Sequence, residues 1–195
     1  MQMAMFYQCN NLRLVGLKVV DSPNNFITLM GGTQIELSNL DIQAPENSPN
    51  TDGIEIAGST SVFVHDSHVA SGDGCIAINN HARDGGDGFA RNISFENITL
   101  SNVSNPILID QYYCPNRSCS FGGAEKTAVK ISEITYKQII GTTTTDAAIF
   151  FNCSRVQPGC TNIDVDQVNI TSIVPGRQTY ARCVNAHGTQ KQIFK

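Results

Sequence analysis

The chain has 195 residues, 41% of them hydrophobic, and carries a net charge of −4 from 13 basic and 17 acidic side chains. That balance argues against a nucleic-acid binder, and no apolar stretch is long enough to cross a membrane. The length suits a single domain, 1–195, with no linker, low-complexity run or block of like charge to divide it.

The first seven residues lack a basic start, and their apolar run is too short for a signal peptide, so they read as the inside of a strand. One pattern then returns along the chain: apolar, any, apolar, any, any, apolar, any, apolar. It runs through Leu12-Leu14-Leu17-Val19, Ile35-Leu37-Leu40-Ile42 and Val62-Val64-Val69, where Ser67 takes an apolar position. It resumes at Ile93-Phe95-Ile98-Leu100, Val129-Ile131-Ile134-Tyr136 and Ile163-Val165-Val168-Ile170. Short strands recurring every few tens of residues mark a solenoid, because each unit has an apolar face too small to form a core alone. The units are rich in Val, Ile, Thr and Phe, alternate with period two, and show no sustained helical period.

Asn11, Asn92 and Asn162 precede the first apolar position in three copies, and Gln34 and Ser61 hold it in two others. Asn tolerates the left-handed turn conformation, and stacked Asn side chains form hydrogen-bonded ladders. The expectation is an all-β chain folded as a parallel β-helix with an Asn-bearing corner, in preference to a β-sandwich with Asn-rich turns. Asn92 is expected as a buried ladder residue.

The rest of the chain has a secreted character. Sequons stand at Asn92, Asn97, Asn102, Asn116, Asn152 and Asn169, some of them expected to be structural only. Cys114 and Cys119 bracket one turn, Cys153 and Cys160 another, which predicts two local disulfides. Cys9, Cys75 and Cys183 remain, and an odd total of 7 leaves at least one thiol unpaired within the chain. No Cys-x-x-Cys occurs and the four His are scattered, so no metal site is expected. A secreted character without a signal sequence suggests an incomplete chain.

Two segments place an Asp and a Gly just before an alternating strand: Asn50-Thr51-Asp52-Gly53-Ile54-Glu55-Ile56 and Ser71-Gly72-Asp73-Gly74-Cys75-Ile76-Ala77-Ile78. Aligning Ile54-Ile56 with Ile76-Ile78 sets Asp52 over Gly74 and Thr51 over Asp73. Adjacent strands lie about 4.8 Å apart, so Asp52 and Asp73 share one neighbourhood. Such a pair suits acid–base work on a glycosidic bond, although Asp-Gly is also an ordinary turn.

Asn50-Thr51-Asp52-Gly53 resembles the Asn-Thr-Asp-Gly motif of plant polygalacturonases, glycoside hydrolase family 28. Gly72-Asp73-Gly74-Cys75-Ile76-Ala77-Ile78 is similar to that family's Gly-Asp-Asp-Cys-Ile-x-Ile, and Asn105-Pro106-Ile107-Leu108-Ile109-Asp110-Gln111-Tyr112-Tyr113-Cys114 to its Asn-Pro-Ile-x-Ile-Asp-Gln-x-Tyr-Cys. Ser22-Pro23, Cys153-Ser154 and Cys160-Thr161-Asn162-Ile163 also fit. The resemblance implies a right-handed parallel β-helix that hydrolyses 1,4-linked galacturonan with inversion, without metal or cofactor, outside the cell or in the cell wall. It implies Asp73 as general acid, Asp52 as a water-activating carboxylate, and Asn50 and Tyr113 as substrate-binding residues.

The chain departs from the pattern in three ways. Gly74 replaces the second water-activating Asp, and the family's Gly-His-Gly and Arg-Ile-Lys motifs are absent. Between Ile78 and Phe89 about two coils are missing, as are N-terminal capping coils. Removing whole coils can leave a stackable solenoid, since each coil touches only its neighbours. The resemblance pairs Cys75 with a residue in the missing part, which makes Cys75 a free thiol. Uncapped ends would favour self-association. His81 and Arg83 are candidates to replace the lost groups, Arg83 by gripping a galacturonate carboxylate. His65 and His68 read as wall or surface residues of a strand, and His187 as part of an irregular tail. The readings are thus a pectin hydrolase, or a catalytically impaired remnant that binds pectin. A pectate lyase fits less well, for want of clustered calcium-binding carboxylates and a basic Arg.

Overall fold

The computed structural model describes residues 4–22, 24–45, 48, 51–79, 89–112 and 129–193. Its strands, in chain order, begin with β1 (Ala4–Tyr7), β2 (Arg13–Val15), β3 (Lys18–Val20), β4 (Ile27–Met30), β5 (Thr33–Ser38), β6 (Asp41–Gln43), β7 (Ile54–Ala57) and β8 (Thr60–Ala70). They continue with β9 (Gly74–Asn79), β10 (Phe89–Val103), β11 (Asn105–Asp110), β12 (Lys130–Thr143), β13 (Ala147–Asn152), β14 (Cys160–Ser172), β15 (Tyr180–Val184) and β16 (Ala186–Ile193).

All strand pairings among the described residues are parallel, and the chain alternates between two sheets. A seven-stranded sheet runs β1-β4-β7-β9-β11-β13-β15, and a nine-stranded sheet contains β16-β14-β12-β10-β8-β5-β2 with β3 and β6 beside them. Successive turns of the chain therefore stack as coils of a parallel β-helix, as the repeat anticipates. Inward-facing residues form rows. Ile27, Ile54, Ile76, Ile107 and Ile149 line up on one sheet, and Ile35, Val62, Ile93, Ile134 and Ile163 on the other. Each of these is at most 4% exposed. Phe95 and Tyr136 stack with ring centroids 5.2 Å apart, and Phe151 continues the stack at 5.8 Å.

The corner residues adopt the left-handed conformation. Asn11, Gln34, Ser61, Asn92 and Asn162 have φ between 53° and 57°. Each non-Gly residue there costs about 1–2 kcal/mol, which side-chain ladders help offset. Asn92 donates its amide to Ser61 Oγ at 3.1 Å, one coil away. A second left-handed corner follows five residues later, where Asn97 donates to Asp66 at 2.6 Å. Asn92 is exposed, not buried as expected, because the corner turns its side chain outward.

The fifth copy needs a shift in register. β10 aligns Ile93, Phe95, Ile98 and Leu100 with Ile134, Tyr136, Ile139 and Gly141, so the copy read at Val129 begins five residues too early. Ser67 is buried, as its apolar position requires. Its hydroxyl donates to His65 O at 2.8 Å and accepts from Leu40 N at 3.1 Å. His65 and His68 lie on strand β8, while His187 lies in β16 and not in an irregular tail.

Candidate active site

β7 pairs with β9 as the sequence alignment anticipates, Ile54 beside Ile76 and Ile56 beside Ile78. The pairing extends backward through Gly53 N to Gly74 O at 2.8 Å. Gly53 must be glycine there, because a Cβ would lie 2.5 Å from Val69 Cγ1 and 2.9 Å from Cys75 O. This close approach sets Asp52 directly against the next coil. Its Oδ1 accepts the Gly74 N–H at 2.9 Å, and its side chain is buried. A Cβ on Gly74 would stand 2.5 Å from that same oxygen, so the Asp52 carboxyl fills the space that a side chain at 74 would enter.

Asp73, the residue before Gly74, is partly exposed. Its Oδ1 accepts the Asn105 amide at 3.0 Å from the following coil, where Asn105 sits in register with Gly74. Ser104 Oγ donates to Gly72 O at 2.8 Å, and Thr51 Oγ1 accepts Gly72 N at 3.2 Å, so both neighbours pin the turn that carries Asp73. The two acids thus flank Gly74, each held by a bond to the adjacent coil. A partly exposed acid beside a buried one, both just before strands, can deliver a proton and orient a water.

Glu55, which sequence reasoning quoted without a role, lies on the outer side of β7 yet is fully buried. Its Oε2 accepts Asn25 Nδ2 at 2.6 Å and Thr28 Oγ1 at 3.3 Å, and its Oε1 accepts Asn79 Nδ2 at 3.0 Å. One carboxyl therefore ties three successive coils just beside the acid pair. Strict alternation in Ile54-Glu55-Ile56 was the signal that it faces outward. The same outer row continues through Ala77, Leu108 and Phe150 to Arg182, whose exposed guanidinium stands 5.3 Å over the Phe150 ring. Asn105 and Arg182 also escaped sequence reasoning, since only the strand register brings them to this face.

Cys75 is a buried free thiol, as expected. Its Sγ lies 3.1 Å from Ser71 Oγ, and burial pushes its pKa up to about 12. Cys153 and Cys160 form the predicted disulfide, with Cα atoms 5.6 Å apart. Gln111 and Tyr112 support that loop, accepting Ser154 N at 2.7 Å and Arg155 N at 2.9 Å. Asn50, His81, Arg83, Tyr113, Cys114, Cys119 and Asn116 lie outside the described residues.

The profile of glycosyl hydrolases family 28 matches residues 2–84 and 81–192. A probable polygalacturonase of Arabidopsis thaliana is 34% identical over 236 aligned positions, covering 94% of this chain and 52% of that protein. A polygalacturonase of Persea americana is 30% identical, covering 92% of this chain and 49% of its own length. A polygalacturonase of Prunus persica is 28% identical over 97% of this chain and 60% of that protein. The chain thus spans about half the length of the first two relatives. With a profile match over nearly all of its coils and a β-helix that carries the Asp52 and Asp73 turns in register, the chain belongs to glycosyl hydrolases family 28.

Proposed function

We propose that this chain carries the chemistry of a secreted, cell-wall enzyme that hydrolyses 1,4-linked galacturonan with inversion. The observation that carries the reading is the placement of Asp52 and Asp73 on either side of Gly74. Asp73 acts as general acid: the Asn105 amide occupies Oδ1, and the other oxygen delivers a proton to the glycosidic oxygen. Asp52 orients the water that attacks from the opposite face, a geometry that needs carboxyls about 6.5–9.5 Å apart. Among the described residues, exposed Asn92, Asn97, Asn102 and Asn169 are sequons open to glycosylation.

Gly74 favours a second reading, an impaired enzyme that still binds pectin. A lone water-activating acid, bonded to the Gly74 amide, replaces the pair that the family motif carries. Loss of one general base costs about 10²–10⁴ in rate. A shortened coil stack fits this reading. The two profile matches meet at residues 81–84, and the alignment to the Arabidopsis relative runs over 236 positions against 195 residues here. Arg182, on the outer row of the same sheet, supplies a cation for a uronate carboxylate.

The test is release of reducing ends from de-esterified polygalacturonate by the purified chain beside an Asp73→Asn control. Turnover that the control abolishes supports the hydrolase. Turnover unchanged in the control removes Asp73 as the acid. No turnover from folded protein that still binds the polymer supports the impaired form.

A further inference from the structure

The outer face of the nine-stranded sheet holds a cluster that the glycosidic site does not use. Asp41 on β6 pairs in register with His68 on β8. His68 Nδ1 stands 3.1 Å from Asp41 Oδ1, and its Nε2 stands 3.0 Å from Ser101 Oγ on β10. We propose that Ser101, His68 and Asp41 form an acyl-transfer site for carboxylic esters, with Ser101 as nucleophile, His68 as base and Asp41 as the group that orients it.

The order of contacts is what such a site requires: nucleophile to base, base to a fixed carboxylate, each within hydrogen-bond reach. Asp41 is itself held, accepting Gln43 Nε2 at 2.8 Å and pairing with Lys18 Nζ at 3.1 Å. Hydrogen bonds from His68, Gln43 and Lys18 lower its pKa to about 2, so it is ionised at neutral pH. An ionised Asp41 places the imidazole proton on Nδ1, which leaves the Nε2 lone pair to accept the Ser101 hydroxyl.

Backbone register explains how Ser101 reaches His68. Thr99 is the residue directly opposite His68, and the ladder from β10 to β12 shifts between Leu100 and Val103. Ser101 lies two residues on, on the same outer face as Thr99, and reaches diagonally to His68, beside left-handed Asn102. An open hollow of about 410 Å³ lies alongside, lined by Asn39, Asp66, Ser67, His68, Asn97 and Thr99.

The step balances within the cluster and substrate. Ser101 Oγ bonds to the ester carbonyl carbon while its proton passes to His68 Nε2. The C–O bond to the alcohol breaks, and His68 returns that proton to the leaving oxygen. Water then repeats the sequence on the acyl-serine, releasing the acid and restoring Ser101.

The test uses the full chain made in a host that does not glycosylate, so that the sequons at Asn97 and Asn102 carry no sugar. A fluorophosphonate probe is expected to label Ser101, located by peptide mass spectrometry, and p-nitrophenyl acetate to give an acylation burst on the same residue. Ser101→Ala abolishes both, His68→Gln slows labelling by about 10²-fold or more, and Ser132→Ala, on β12 away from the cluster and the hollow, leaves it unchanged. His68→Gln retains polar contacts, and circular dichroism checks that it folds; His68→Asn serves if it does not. Absence of label on Ser101 in folded protein, or a rate unaffected by removing the imidazole, overturns the proposal.

Discussion

Replacing Glu55 with Ala tests how the acid pair is held in place. The carboxyl accepts from Asn25, Thr28 and Asn79, which belong to the coils before and after it and are 8%, 0% and 2% exposed. Truncation strands these buried donors. Each unsatisfied polar group costs about 1–3 kcal/mol, and the three share one acceptor, so the terms do not simply add. We expect a loss of about 3–5 kcal/mol, against about 1–2 kcal/mol for Glu55→Gln, which retains one acceptor oxygen. For a chain of this length each kcal/mol moves the melting temperature by about 2–4 °C, so Glu55→Ala lowers it by roughly 10 °C. Urea titration with circular dichroism and a thermal scan measure both variants. A loss below about 1 kcal/mol for Glu55→Ala would refute the reasoning, because it would mean that the coils stack without this tie. The consequence reaches function: Asp52 and Asp73 lie just before β7 and β9, so loosening the outer faces of these strands lets the two acids drift apart.

Four further outcomes follow from the structure. Tyr136 is fully buried, and its hydroxyl has no hydrogen-bond partner among the described residues, so Tyr136→Phe raises stability by about 1 kcal/mol in urea titration; a loss would show that the hydroxyl is satisfied. Iodoacetamide on the native chain modifies exposed Cys183 and spares buried Cys75 until denaturant is added, as read by mass spectrometry; early modification of Cys75 contradicts its burial. Because the Asp41 pKa is lowered from 3.8 to about 2 in the folded chain, its contribution is complete above about pH 4 and is lost as pH falls toward 2. Asp41→Asn should flatten that part of the stability–pH curve, by a small amount because the site is solvent-exposed. Arg182→Ala should weaken binding of polygalacturonate severalfold at low salt, measured by affinity electrophoresis; an unchanged mobility shift removes Arg182 from the binding face.

The solenoid was legible because its coils obey a local rule. Apolar residues at fixed spacing must face inward, and each coil needs only its neighbours. The same economy explains the one slip in phase. Val129, Ile131, Ile134, Tyr136 and Ile139 continue at alternating steps of two and three, so the pattern fits itself when displaced by five residues. Only pairing with β10 selects Ile134 as the start, and Gly141 then falls where a Cβ would lie 2.2 Å from Leu100 O. The left-handed corners were legible from Asn11, Asn92 and Asn162, whose side chains can tolerate φ near +55°. That Asn92 is exposed was not, since exposure depends on how sharply the corner turns.

The sequence by itself determined the fold class, the Asp52 and Asp73 turns and their alignment, and the Cys153–Cys160 bridge. Each depends on short-range spacing or on residues one coil apart. Tertiary structure decided what crosses coils at distances that spacing does not encode. It buried Glu55 among Asn25, Thr28 and Asn79, brought Asn105 to Asp73, and set the Asp52 carboxyl in the space above Gly74. It also set Ser101 beside His68 across β8 and β10. The physical reason is that coils differ in length, so which side chains meet on the outer face follows from strand register, and register is fixed by packing the inward rows.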